Sequence, residues 1–131
     1  MQYIAPRCKR AIQTITPLAT KLDLPIEKDS RLTEVSFGDL SGKTQEDIAD
    51  LIGEDMVATL NSYDYDLRPF NGESVADVQE RVQEFLDDLK NQNHKMALVC
   101  AHGGIVRMVN YLCSGEKIGL PPNAKPYRFK L

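Results

Sequence analysis

An α/β fold built on a parallel sheet is predicted by three features of the chain. Met96 to Ala101 is an unbroken apolar run of strand length, the pattern of a parallel strand covered on both faces. His102, Gly103 and Gly104 follow, and a helical period then resumes, so strand, tight turn and helix come in the order of an α/β unit. Two further segments, residues 8 to 22 and 75 to 89, carry the stripes of amphipathic helices.

In the first stripe Ala11, Ile12, Ile15, Leu18, Ala19 and Leu22 recur at spacings of three and four. Pro17 removes one backbone donor inside it, which predicts a kink or a break near that turn. Asp23 to Pro25 ends the helix, and Ile26 and Glu27 read as a short extended piece. Ser30 to Gly42 carries turn residues without a sustained period and reads as loop. Thr44 with Asp47 forms a capping box for a short helix bearing Ile48, Leu51 and Ile52, which Gly53 stops; a second short helix starts near Met56. Ser74 with Asp77 repeats the capping logic ahead of the cleanest stripe, Val75, Val78, Val82, Phe85, Leu86 and Leu89. After Gly104 the helical period runs through Ile105, Val106, Met108, Val109 and Leu112 to Gly115. Tyr127, Phe129 and Leu131 alternate with Arg128 and Lys130, predicting a terminal strand with one buried face.

The 131 residues leave room for one domain, able to bury about 70% of its unfolded surface. With 42% hydrophobic and 27% charged residues the chain is an ordinary globule rather than a disordered one. A net charge of −3 argues against a nucleic-acid partner, which would demand clustered Lys and Arg. No apolar run approaches the roughly 20 residues of a membrane span. The start, Met1 to Pro6, lacks the basic and apolar parts of a leader. A cytoplasmic protein without a membrane partner is expected. Cys8, Cys100 and Cys113 have no metal-ligand spacing and fit reduced thiols.

Ligands of open α/β sheets settle beyond the carboxyl ends of the strands, where helix N-termini offer free N–H groups to anions. His102 falls at that place, and the glycines after it would let a phosphate approach the backbone. A bare His-Gly-Gly is short, and a histidine that merely caps a strand has the same pattern. Ser41-Gly42-Lys43-Thr44 resembles the tail of a nucleotide-binding loop, but Gly38 leaves three residues before the Gly-Lys pair where four are required.

Four motifs in order carry a resemblance: Arg10-Ala11-Ile12-Gln13-Thr14; Leu32-Thr33-Glu34 with Phe37-Gly38-Asp39-Leu40-Ser41-Gly42; Asn71-Gly72-Glu73-Ser74 with Arg81; and Ala101-His102-Gly103-Gly104. Together they resemble the histidine phosphatase superfamily, which includes the phosphoglycerate mutases. The resemblance implies a three-layer α/β/α domain with a mostly parallel sheet, spanning residues 1–131 and incomplete at its amino end. It implies that Arg10 is the pocket arginine after the family's second strand, Glu34 the acid/base carboxylate and His102 the second histidine, with Gly103 beside the phosphate. Neither a metal nor a cofactor is implied.

The departure from the family pattern lies at the start. Members open with a strand ending in Arg-His-Gly, whose histidine accepts the phosphoryl group, and this sequence holds no such motif. Its other histidine, His94, sits in the polar run Asn91 to Lys95, where a surface position is expected. The first strand and first helix of the family are therefore expected to be missing, and with them the phospho-acceptor.

The residue types suit phosphoryl transfer, which demands positioning and charge stabilisation above all. A guanidinium can bind two phosphate oxygens at once, the role of Arg10. Glu34 would protonate the leaving oxygen and later activate water, and His102 would stabilise the transferring group. Arg7 and Lys9 would add positive charge nearby, although a solvated charge cluster is their more common role. These cations could lower the thiol pKa of Cys8, but an inert cysteine at the helix start is the preferred reading.

Between Lys43 and Phe70 seven acids face two bases, unlike the longer, basic insertion of the mutases, so the resemblance favours the phosphatase branch. The expected partner is a small-molecule phosphate ester. The alternative is a phosphate-binding or interaction module of the same fold without turnover. The lost strand would leave an exposed sheet edge through which the chain could self-associate.

Overall fold

The computed structural model describes every residue from Met1 to Leu131. Three strands form one parallel sheet: β1 (Gln2–Ala5) in the middle, β2 (Ile26–Lys28) on one side and β3 (Ala97–Val99) on the other. Tyr3 lies opposite Ile26 and Leu98, which fixes the register across all three strands. Parallel neighbours need long crossovers. Helix α1 (Lys9–Lys21) supplies the one between β1 and β2.

The alternation of side chains along β1 divides the core into two layers. Tyr3 and Ala5 face α1 and pack on Ala11, Ile15 and Ala19, the two alanines letting the helix lie close to the sheet. Ile4 points the other way, into a cluster with Val78, Val82 and Phe85 of α4 (Val75–Asn91) and with Ile105 and Met108 of α5 (Gly103–Ser114). Helix, sheet and helix pair thus make the three-layer α/β/α arrangement. A third cluster, Leu40, Ile48 and Leu67, seats α2 (Gln45–Ile52) and α3 (Glu54–Leu60) beside it.

Both capping boxes form. Thr44 accepts from the Asp47 N–H and Ser74 from the Asp77 N–H, while each aspartate accepts from the cap's own N–H; such caps stabilise by about 1 kcal/mol each. Gly53 and Gly115, both with positive φ, end α2 and α5.

Several expectations are corrected. Pro17 does not break α1, which runs through it from Lys9 to Lys21 as one helix. The loop at 30 to 42 contains two 3-10 turns, Ser30–Leu32 and Gly38–Leu40, each burying a leucine. Helix α3 begins at Glu54 rather than Met56. Strand β3 covers only residues 97 to 99 and is not enclosed on both faces, since Leu98 is 37% and Met96 54% exposed. The terminal segment forms no strand: Tyr127 and Phe129 stack ring on ring with centroids 6.5 Å apart, but no strand lies beside them to pair with. Alternation reports which side chains share a face, and a strand also needs a partner's hydrogen bonds. No helix is long and apolar enough to cross a membrane.

Candidate active site

At the carboxyl end of β3 the chain turns into α5, with His102 as its N-cap in extended conformation. Val106 N–H closes the first helical bond on the His102 carbonyl, so the amides of the residues between have no partner within the helix. One of them is taken. Glu34 reaches across from the loop after the first 3-10 turn, and its Oε2 accepts the Gly104 N–H at 3.3 Å while Oε1 accepts the Val35 N–H at 2.9 Å. A carboxylate at a helix N-terminus is stabilised by the helix dipole. The amides of Gly103 and Ile105 donate to no group of the chain.

Gly104 is glycine because of this contact. A Cβ built there would lie 2.5 Å from Glu34 Oε1 and 3.1 Å from Val35 Cγ2. The expectation that both glycines make room for a phosphate is thereby amended: Gly104 makes room for Glu34, whereas Gly103 has only Leu120 and Pro121 of the tail at ordinary contact distance.

The Glu34 loop is held from below. Glu73 accepts from the Ser36 N–H at 2.8 Å and forms a forked pair with Arg81, Nε to Oε1 at 2.7 Å and Nη2 to Oε2 at 3.0 Å. Arg81 also donates to the Arg31 carbonyl. The Gly-Glu-Ser motif with its arginine is therefore a brace for the loop. Gly38 completes it: φ is +55°, and a Cβ would collide with the Phe70 carbonyl oxygen at 2.0 Å, so only glycine lets the two loops meet.

Arg10 lies in the first turn of α1, beyond the carboxyl end of the neighbouring strand β1. Its side chain is exposed and belongs to none of the ion pairs of the chain. The structure thus brings His102, Gly103 and Glu34 to one helix terminus, while Arg10 shares their edge of the sheet without a hydrogen bond or ion pair to them. Arg7 and Lys9 are exposed beside Arg10. Cys8 is the N-cap of α1, and the backbone N–H groups of Arg10 and then Ala11, followed by the Arg10 guanidinium, hold its thiol below the ordinary value. His94 is exposed, as expected.

Glu34 and Gly104 also border a cavity of about 460 Å³. Val35, Phe37, Val57, Leu60, Leu67 and Met108 make its walls mainly apolar. Tyr65 lines it too, and burial, followed by the charge of Glu73, pushes its phenol up to about 12. Arg107, only 6% exposed, completes the wall. Its Nε donates to the Ile118 carbonyl at 3.1 Å, its Nη2 to the Asn61 carbonyl at 2.9 Å, and its guanidinium stacks on the Tyr63 ring at 4.6 Å.

Sequence reading passed over Arg107, Tyr63 and Tyr65. The usable signal was Arg107 and Asn110, two polar residues three apart inside an otherwise apolar helix, both buried in the fold. Asn110 donates to the Glu116 carbonyl and so ties the tail to α5 beside Arg107.

Comparison with known proteins bears on the family and the fold. A phosphoglycerate mutase dependent on 2,3-bisphosphoglycerate, from Bradyrhizobium diazoefficiens, is 35% identical over 109 residues, which is 79% of this chain and 51% of the relative. The corresponding enzyme of Mesorhizobium japonicum is 33% identical over 115 residues, 84% of this chain and 54% of its own. The chain spans about half the length of the curated relatives it matches. Among solved structures, mycobacterial glucosyl-3-phosphoglycerate phosphatase superposes with a TM-score of 0.77 at 21% identity, over 88% of this chain and 59% of that one, and so shares the fold. The profile of the histidine phosphatase superfamily, branch 1, matches residues 3–125. With that match along nearly its whole length, the chain belongs to the histidine phosphatase superfamily.

Proposed function

We propose that the chain carries the phosphate clamp and the acid/base carboxylate of a metal-independent phosphomonoesterase acting through phosphohistidine. The observation that carries this reading is the Glu34 carboxylate held on the Gly104 N–H, two residues beyond His102. A proton donor for the leaving oxygen is thereby set next to free amides that can take phosphate oxygens. In the first step a histidine nitrogen attacks phosphorus, the phosphorus–oxygen ester bond breaks, and Glu34 gives its proton to the departing alkoxide. In the second step Glu34 takes a proton from water, whose oxygen attacks phosphorus and displaces the histidine. Arg10, His102 and the Gly103 amide hold the charge that builds on the equatorial oxygens.

The 131 residues contain two histidines, His94, which is exposed, and His102, so this reading requires a phospho-accepting histidine from a segment other than these residues. Alone, the chain is expected to be nearly inactive on phosphate monoesters. Loss of one member of a cooperating catalytic set costs on the order of a million-fold in another hydrolase. The phosphate clamp does not need the nucleophile, and structures of the mycobacterial phosphatase hold inorganic phosphate and VO3.

The test is a titration of the chain with phosphate and with vanadate, followed by NMR. Weak binding is expected, reduced by Arg10→Ala and by His102→Ala, with the largest amide shifts at Gly103 and Ile105. Anion affinity unchanged by both substitutions would overturn the assignment. Phosphate binding without turnover, persisting after a strand ending in Arg-His-Gly is supplied, would favour the binding module instead.

A further inference from the structure

The segment after α5 returns along the helix that it leaves. Gly115, with φ at +75°, reverses the chain. Glu116 then gives its carbonyl to Asn110 Nδ2 at 2.9 Å and Ile118 its carbonyl to Arg107 Nε at 3.1 Å. Leu120 and Pro121 come to lie beside Gly103, 3.4 and 3.8 Å from where its Cβ would stand. Gly103, Arg107 and Asn110 recur at spacings of four and three and so share one face of α5. Residues 115–121 thus form a strap that runs antiparallel to the helix along that face. It ends at the amino terminus, where Gly103 holds a free amide.

A buried arginine and a half-buried tyrosine grip the strap at its middle. Arg107 spends Nη2 on the carbonyl of Asn61, the C-cap of α3, so it ties the strap to α3 as well as to α5. The Tyr63 hydroxyl accepts the Ile118 N–H at 3.3 Å and directs its own proton between the Ile118 and Arg107 carbonyls, at 3.3 and 3.2 Å. The Tyr63 ring carries the Arg107 guanidinium at 4.6 Å and the Lys117 ammonium of the strap at 5.4 Å. Both backbone groups of Ile118 are therefore bonded to side chains. Taking a guanidinium out of water is costly unless its donors are met. A leucine would fill the same place in α5 without that cost, but it would give residues 116 to 118 no fixed path. Beyond Ile118 the strap has little hold of its own: Leu120 is 65% exposed, so its place beside Gly103 depends on the anchor behind it.

Gly103 carries one of the two free amides at this helix end. An apolar wall beside such an amide displaces water and strengthens its bond to an anion, because electrostatic attraction grows as the local dielectric falls. Resting on the phosphatase reading above, we propose that Arg107 and Tyr63 are positioning residues of the phosphate site: they clasp the strap at Ile118 and thereby hold Leu120 and Pro121 as a wall on Gly103. Both act through the strap rather than on the anion itself.

The experiment titrates the whole chain with inorganic phosphate, follows the Gly103 amide by NMR, and compares Tyr63→Phe, Leu120→Ala and the double variant. Tyr63→Phe keeps the ring between Arg107 and Lys117 and removes only the hydroxyl that Ile118 uses. Leu120→Ala trims a side chain that stands mostly in solvent, so it leaves the fold intact. In the parent a nuclear Overhauser contact should join the Leu120 methyls to the Gly103 Cα protons, and Tyr63→Phe should weaken it. Each single variant is expected to weaken phosphate binding by about three- to tenfold, the range that one lost hydrogen bond commands. The double variant should bind no more weakly than the singles, because both remove the same wall. A tyrosine that merely supports the fold would leave the affinity unmoved or add its effect to that of Leu120→Ala. Affinity that is unchanged or raised in either single variant, or lowered additively in the double one, overturns the proposal alone. A parent chain that binds no phosphate overturns the phosphatase reading and this proposal with it.

Discussion

The carboxylate of Glu34 accepts the Gly104 N–H at 3.3 Å, joining a loop residue to a helix seventy positions later in the chain. This one bond places the proposed proton donor at the amino end of α5, whose N-cap is His102. Its partner cannot carry a side chain without contest, because a Cβ on Gly104 would stand 2.5 Å from Glu34 Oε1.

Gly104→Ala is therefore expected to separate stability from function. Alanine in the first turn of a helix gains up to about 1 kcal/mol over glycine, and the atom it strikes is the end of a flexible side chain. Stability should change by less than about 1 kcal/mol, while Glu34 swings off the helix terminus. Urea unfolding checks the first part. Loss of the Gly104 amide shift that Glu34→Gln causes in the parent checks the second.

Arg81→Ala should be costlier. Arg81 and Glu73 are 18% and 23% exposed, and Glu73 also holds the Ser36 N–H that orients the Glu34 loop. Removing the arginine leaves a largely enclosed carboxylate unpaired, at a cost on the order of 2 kcal/mol. The urea midpoint should fall with its slope unchanged, and Arg81→Lys should restore little, since an ammonium cannot reproduce the forked geometry. Recovery to the parent midpoint with lysine would show that charge alone is needed.

What the sequence disclosed and withheld follows from the range of each signal. The capping boxes at Thr44 and Ser74 and the stripe on α4 are local, and each formed as read. Strand β1 left no periodic trace, because all four of its residues are buried and none alternates with a solvent face. The Glu34–Gly104 and Ser36–Glu73 contacts join residues far apart, and only the order of the motifs hinted that they meet. Arg107 was hidden for another reason: a buried arginine looks like a surface one until its carbonyl partners, Asn61 and Ile118, are known.

Stability should decline at both ends of the pH scale, for different groups. Hydrogen bonds hold Asp29, Asp47, Asp66 and Asp77 below the ordinary carboxylate range: the Arg31 side chain for Asp29, Thr44 for Asp47, Arg68 for Asp66 and Ser74 for Asp77. A lowered folded pKa means that their contribution is present above the unfolded value of about 3.9 and lost as pH falls through the folded one. Asp66, at about 2, sets the lower end of that window. Tyr65 acts in the opposite direction. Burial raises its phenol to about 12, so its contribution is intact below the unfolded value of about 10 and is lost as pH climbs toward 12. Thermal melts between pH 5 and 2 should track the acid limb. On the alkaline limb, absorbance of the phenolates should show a late ionisation that accompanies unfolding, and Tyr65→Phe should diminish that late step.

The open side of β3 gives the last prediction. Gln2 N–H donates to the Met96 carbonyl and Cys100 N–H to the Ile4 carbonyl. The inner edge of the strand is therefore used by residues 96, 98 and 100, and Ala97 and Val99 turn their amides and carbonyls outward. No strand pairs with that edge, and Met96 and Leu98 are exposed beside it. Unpaired backbone groups next to apolar side chains attract another strand. The chain is expected to associate with itself at raised concentration, and Leu98→Lys, which sets a charge beside the edge, should return it toward the 14.7 kDa monomer in sedimentation. A peptide carrying a strand that ends in Arg-His-Gly should compete for the same edge. By binding only the folded chain it should raise the melting temperature with peptide concentration. Because it brings a histidine to the side where His102 and Glu34 stand, turnover of a phosphate monoester should appear together with that stabilisation. A parent chain that stays monomeric and melts at the same temperature with and without the peptide would show that this edge of β3 needs no partner.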